Sequence, residues 1–117
     1  SVPDDPWKGV FGESENESRK LEAKVIQSTN AGYYRVYVKL RSLNPDTNPL
    51  KGSVQFFLHD TFANSKPVVA VGPNGIAELT FDAWGAFTIG AIADSGSSRL
   101  ELDLAEIDEA PASFKTR

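Results

Sequence analysis

Tyr34-Arg35-Val36-Tyr37-Val38-Lys39-Leu40 alternates apolar and polar residues in register with an extended chain. A period of two puts Tyr34, Val36, Val38 and Leu40 on one face of a strand, and Tyr33, Arg35, Tyr37 and Lys39 on a wetter face. Leu21 to Val25 alternates in the same way, and Val54 to Leu58 reads as a third strand. Val68 to Val71 is short and continuously apolar. Ile76 to Phe81 is expected to pair with Phe87 to Ala93 across a loop that carries Trp84, and Leu100, Leu102 and Leu104 give a last strand one apolar face. Turn chemistry separates these runs. Asn44-Pro45-Asp46-Thr47-Asn48-Pro49 cannot continue a ladder, Gly72-Pro73-Asn74-Gly75 is a strong turn, and Asp94-Ser95-Gly96-Ser97 fits a hairpin. No segment has a helical period, and Leu102 to Ile107 has room for one turn at most. Seven or eight short strands spaced about 8–14 residues apart make the chain all-β and predict an antiparallel β-sandwich.

At 117 residues the chain is long enough for one domain with its own core. Residues 1–20 are polar and acidic and read as an arm or linker, but Trp7, Val10 and Phe11 are too apolar for a free arm; Trp7 and Phe11 are expected to dock it on the domain. The sandwich is expected over 21–108, with 109–117 as a C-terminal tail. The chain has no cysteine, which excludes disulfides and thiolate metal sites, and its one histidine speaks against an imidazole-rich metal site. No metal or other cofactor is expected. A net charge of −4 argues against a nucleic-acid partner. No apolar run approaches the ~20 residues of a membrane span, so no membrane contact is expected of this domain itself; its location is read as cytoplasmic, with a membrane-attached parent protein as the alternative. The absence of methionine fits a module cut from a longer protein, whose other domains are then expected partners.

The candidate chemistry lies in Phe57-Leu58-His59-Asp60-Thr61-Phe62 and in Asp82-Ala83-Trp84-Gly85-Ala86-Phe87. Asp60 alternates away from His59 on an extended chain, and no Gly-x-Ser-x-Gly elbow, phosphate loop or carboxylate pair is present, so no catalysis is expected. His59 reads either as a hydrogen-bonded structural residue or as the group that fixes the direction of the Thr61 hydroxyl. Phe62 and Phe87 read either as core or as walls of a site. Trp84 sits among small residues in a tight loop, where a ring is more often a contact surface than filler. Gly85 permits close approach of the backbone to a ligand and is a position for positive φ. Two aromatic faces with a hydroxyl and a loop N–H between them suit a planar, neutral, hydrogen-bonding guest.

Val54-Gln55-Phe56-Phe57-Leu58-His59-Asp60-Thr61-Phe62 resembles the signature strand and loop of the YEATS domains, which end in Leu-His-x-Ser-Phe with Ser or Thr at the hydroxyl position. Ala83-Trp84-Gly85-Ala86-Phe87 is similar to the family's second loop, commonly Gly-Trp-Gly-x-Phe, and Tyr34 to Val38 resembles its early strand. Asp5-Pro6-Trp7-Lys8-Gly9 looks closer to the bacterial branch of the family. The resemblance covers most of residues 21–105 and implies an immunoglobulin-like sandwich that reads acylated lysine. It implies that Phe62 and Trp84 sandwich the acyl-amide, that the Thr61 hydroxyl and the Trp84 backbone N–H bind its carbonyl, that His59 orients Thr61, and that Phe87 closes the pocket. Ala83 and Gly85 flank Trp84 in that loop. Three departures alter the pocket wall. Ala83 replaces a glycine, Asn30 stands where a further aromatic is usual, and Gly72-Pro73-Asn74-Gly75-Ile76 replaces a Pro-Pro-aromatic run. The resemblance therefore implies a non-enzymatic recognition module for acylated lysine or a similar planar amide, within a larger multidomain signalling or conflict-system protein. The rival readings are a protein–protein adaptor with a vestigial pocket, and a carbohydrate-binding sandwich that uses Trp84 and Tyr33 as stacking platforms on a flat face.

Overall fold

The structure, a computed structural model, describes residues 4–117. Two four-stranded antiparallel sheets face each other, as the alternation requires. The first contains β1 (Glu15–Asn16), β2 (Arg19–Gln27), β3 (Tyr34–Ser42) and β6 (Ala77–Ala83), in the order β1-β2-β3-β6. The second contains β4 (Ser53–Phe57), β5 (Val68–Ala70), β7 (Thr88–Ala93) and β8 (Ser98–Asp103), in the order β5-β4-β7-β8. Val36, Val38 and Leu40 from the first sheet and Val54, Phe56, Ile89, Ala91 and Leu100 from the second are buried in one core between them. The chain is thus the immunoglobulin-like sandwich its sequence implies.

One strand pairing differs from expectation. β6 pairs with β3, Val38 opposite Leu79, and not with β7. The residues between β6 and β7 do not form a hairpin tip; they cross from one sheet to the other. Ala86 and Phe87 are buried. A hairpin tip would leave both in water, whereas a crossing turns them into the core, and that apolar burial decides the topology.

Both chain ends differ from the expected arm and tail. β1 forms a tight hairpin with β2 through Glu17 and Ser18, which take φ of 51° and 62°. At the other end, β8 stops at Asp103 and Leu104–Glu106 make one 3₁₀ turn. A short helix, α1 (Ala112–Thr116), then places Phe114 in the core, with no exposure and its ring edge-on to Tyr34 at 5.3 Å. The tail region carries a core side chain because a five-residue helix is too short to show a period, and one aromatic in a polar stretch looks incidental.

Residues 4–11 lie across the outer face of the second sheet. Phe57 points outward there, and Trp7 and Phe11 cover it at ring distances of 5.2 and 5.0 Å. Phe11 sits directly on Gly90; a Cβ at that position would come within 2.2 Å of its ring. Glu101 accepts the backbone N–H groups of Gly9 and Phe11 at 2.8 and 2.9 Å, and the Trp7 indole N–H donates to the Leu58 carbonyl at 2.7 Å. Where β2 begins, the buried Arg19 guanidinium donates twice to Asp94 at 2.9 Å and once to the Asn48 carbonyl at 2.6 Å.

Candidate functional site

β4 ends at Phe57, and the chain turns at once: the Phe62 N–H donates to the His59 carbonyl at 3.1 Å. That turn brings the Thr61 hydroxyl to 2.9 Å from His59 Nδ1, with the Thr61 backbone N–H at 3.2 Å from the same nitrogen. The other ring nitrogen, Nε2, lies 2.7 Å from the backbone carbonyl oxygen of Asp4. A carbonyl can only accept, so Nε2 carries the proton, and in the neutral ring Nδ1 is then an acceptor. The Thr61 N–H, which can only donate to Nδ1, demands the same assignment. The Thr61 hydroxyl therefore gives its proton to His59 and keeps its lone pairs for whatever lies on its far side.

Phe62 leans on Phe81 at 5.2 Å and on Phe87 at 5.5 Å, the first from β6 and the second from the crossing segment. Phe62 is half-buried and Phe87 fully buried, so the two readings of these rings merge: each packs on the core and borders the site. Trp84 is 53% exposed at the start of the crossing. It is held by the C-terminal segment. The Arg117 guanidinium lies over its ring at 4.8 Å and donates to the Trp84 carbonyl at 3.1 Å and to the Gly32 carbonyl at 2.7 Å. Two residues on, the Ala86 N–H donates to the Phe114 carbonyl at 3.2 Å.

Gly85 does not take a positive φ, contrary to expectation. What needs its missing side chain is the C-terminal segment: a Cβ there would sit 2.6 Å from Arg117 Cβ. Its role is to let that segment close on the loop.

Between the two loops runs a groove of about 380 Å³, lined by Tyr33, His59, Thr61, Phe62, Asp82, Ala83, Trp84, Gly85 and Phe87. Every residue singled out in the two sequence motifs for binding borders this one groove. Two further residues join them. Tyr33 was read from alternation as part of a wet strand face and, in the carbohydrate reading, as a stacking platform with Trp84; it is an aromatic on the groove, near the loop where Asn30 lacks one. Asp82 is the last residue but one of β6, two before Trp84. Its carboxylate accepts from Arg35 Nε at 2.6 Å and from the Ser28 hydroxyl at 3.1 Å, and the Arg35 hydrogen bond holds its pKa below the usual carboxylate range. The groove thus presents two aromatic loops, one hydroxyl of fixed direction and one carboxylate already tied to a cation. Among the described residues, no group of three or more His, Asp or Glu side chains is placed to hold a metal ion. No helix among them is long and apolar enough to cross a membrane.

Comparison with known families adds one match: the model of the prokaryotic YEATS domain covers residues 34–105. No curated protein and no solved structure matches the chain.

Proposed function

The chain belongs to the prokaryotic YEATS domain family, whose members are reader-type modules rather than enzymes, and from that premise we propose that this one binds the acyl-amide of a modified lysine in the groove between Phe62 and Trp84. The observation that carries the reading is the Thr61 hydroxyl, locked by His59 at 2.9 Å within a groove bordered by aromatic rings.

A secondary amide is flat and offers one N–H and one C=O. With its own proton committed to His59, Thr61 Oγ1 accepts the guest N–H. This refines the role implied by family resemblance, in which the hydroxyl met the carbonyl. The backbone N–H of Trp84 is assigned to the guest carbonyl, and the indole ring offers a face on which the amide plane lies. Both polar groups of the amide are then paired, so its burial does not carry the ~1–3 kcal/mol penalty of an unmade hydrogen bond. An unmodified lysine fares differently. Its ammonium has three protons to satisfy and a charge to desolvate, and the carboxylate on the groove, Asp82, is already paired with Arg35. Acylation removes that charge and converts an unfavourable guest into a fitting one. No group in this arrangement is asked to transfer a proton or attack a carbon, and we assign the domain no catalysis. The further assignments, a multidomain signalling or conflict-system parent and a cytoplasmic location, rest on the family and the chain's composition.

The test is a titration with peptides carrying acetyl-, propionyl-, crotonyl- or unmodified lysine, followed by NMR shifts and tryptophan fluorescence. Saturable, acyl-dependent shifts centred on Thr61 and Trp84, and abolished in Trp84→Ala, are the expected result. Equal responses to modified and unmodified lysine, or none up to millimolar peptide, would reject the acyl-lysine assignment in favour of a protein–protein adaptor.

A further inference from the structure

The imidazole that fixes Thr61 is itself fixed by a part of the chain outside the matched family region. The Asp4 carbonyl that accepts the His59 Nε2 proton belongs to the docked arm. Four anchors hold that carbonyl in place. The Asp5 carboxylate accepts both the N–H of Thr88, at 2.9 Å, and its hydroxyl, at 2.6 Å; Thr88 is fully buried at the start of β7. Trp7 is tied to the carbonyl of Leu58, the residue before His59. Glu101 takes two arm N–H groups, and Phe11 is seated on Gly90.

We propose that the arm is a working part of the ligand site: Asp5 positions the Asp4 carbonyl, the carbonyl holds His59 in its Nε2–H form, and His59 thereby makes Thr61 Oγ1 an acceptor. Asp4 and Asp5 are positioning residues that act through His59. With the arm lifted, Nε2 faces water and the Thr61 N–H alone is left to favour an accepting Nδ1, so the ring turns and exchanges tautomers more readily and the Thr61 hydroxyl proton is less firmly committed. The hydroxyl then meets a guest N–H with either end, and part of the population presents a donor to a donor. A segment that docks or undocks, by its own equilibrium or by competition from a neighbouring partner, therefore sets the polarity of the site without touching the guest. This inference rests on the reader assignment for its effect on affinity, but not for its effect on the imidazole.

Because the chain has a single histidine, its ring nitrogens are read without overlap in long-range ¹H–¹⁵N spectra. Two variants release the arm by different routes. Asp5→Ala removes the cap on Thr88, and Gly90→Ala forces a methyl into the Phe11 ring from the outer side of the sheet, away from the core. Should Asp5→Ala fail to fold, Gly90→Ala keeps the question open to measurement, and the Trp7 indole N–H signal shows whether the arm has left. In the unaltered protein the Nε2 proton is expected to exchange slowly, with Nδ1 shifted as an acceptor. In the variants that proton should exchange rapidly, the two nitrogen shifts should move toward each other, and acetyl-lysine peptide should bind about five- to tenfold more weakly. An unchanged histidine spectrum with the arm released would overturn the proposal and leave the arm a structural cover. So would altered nitrogens with unchanged affinity. If the unaltered protein bound no acylated peptide, the reader assignment would fail by itself, and the histidine spectrum would still decide whether the arm controls the ring.

Discussion

Phe114→Ala tests whether the C-terminal segment belongs to the fold or only rests against it. The side chain has no exposed surface and sits edge-on to Tyr34, one residue after Ser113, whose hydroxyl shares a hydrogen bond with the Tyr34 phenol. Truncation to alanine loses the transfer free energy of a fully buried ring, roughly 1.5–3 kcal/mol, plus a cavity cost, because two facing sheets cannot close the gap. The sum expected for a rigid site is about 3–5 kcal/mol. An unfolding entropy near 2.1 cal/mol/K per residue gives about 0.25 kcal/mol/K for a chain of 117 residues, so Tm should fall by roughly 12–20 °C. Differential scanning calorimetry of the two proteins measures this directly. The loss should also reach the groove: the Ala86 N–H bonds the Phe114 carbonyl, so the amide shifts of Trp84 to Phe87 should move in the variant. A Tm drop of less than about 4 °C, worth some 1 kcal/mol here, would mean that α1 is an appendage and that the argument from burial is wrong.

Four other outcomes follow from the geometry. Thr61→Val should weaken acyl-peptide binding by about tenfold while leaving Tm almost unchanged, since Thr61 is exposed; a large Tm change would make Thr61 structural. Arg19→Met strands the Asn48 carbonyl and the Asp94 carboxylate and should cost about 3–5 kcal/mol in urea unfolding, because the guanidinium is buried and fully engaged; a cost below 1 kcal/mol would refute the network. The same guanidinium, through its hydrogen bonds, holds the Asp94 pKa below the ordinary carboxylate value. A carboxylate depressed in the folded state contributes stability that is complete above its unfolded pKa and drains away as pH falls through the folded one. Urea midpoints should therefore hold steady down to about pH 4 and fall below it, and Asp94→Asn should flatten that acid limb. Finally, Glu17 and Ser18 both occupy the left-handed region in a two-residue turn that favours Asn-Gly, so Glu17→Asn with Ser18→Gly should raise stability by about 1 kcal/mol; a neutral or negative result would show that the turn is not strained.

Much of the sandwich was legible because its strands alternate cleanly: Tyr34 to Leu40 announces its buried face one residue at a time. The two loops of the groove were legible because their side chains are unusual for loops, a tryptophan among small residues and a histidine two residues before a threonine. What stayed hidden was non-local. Nothing within Ile76 to Phe81 distinguishes pairing with β3 from pairing with β7; the decision lies in the burial of Ala86 and Phe87, which depends on where the other sheet is. Phe57 carried a weak signal, since a second large apolar residue beside inward-facing Phe56 needs a cover, and Trp7 and Phe11 supply it. Gly90, in a strand with no turn to explain a glycine, was the other half of that signal. Tyr33 was legible as an aromatic paired with Trp84 but not as a wall of the same groove as His59 and Thr61: the alternation rule assigns a strand face but does not see a loop from elsewhere rising beside it.

The segment that carries Trp84 has one foot in each sheet. A hairpin tip opens and closes against solvent while the core behind it stays still; a span between two packed layers has no such freedom. Any guest that draws Trp84 inward loads the seam between the sheets, and the hydrogen-exchange protection gained on binding should therefore appear in the core amides of β6 and β7 as much as in the loops. By the same reasoning the Trp84 side of the groove would meet a guest with little left to order, so the entropy lost there on association would fall mainly on the guest.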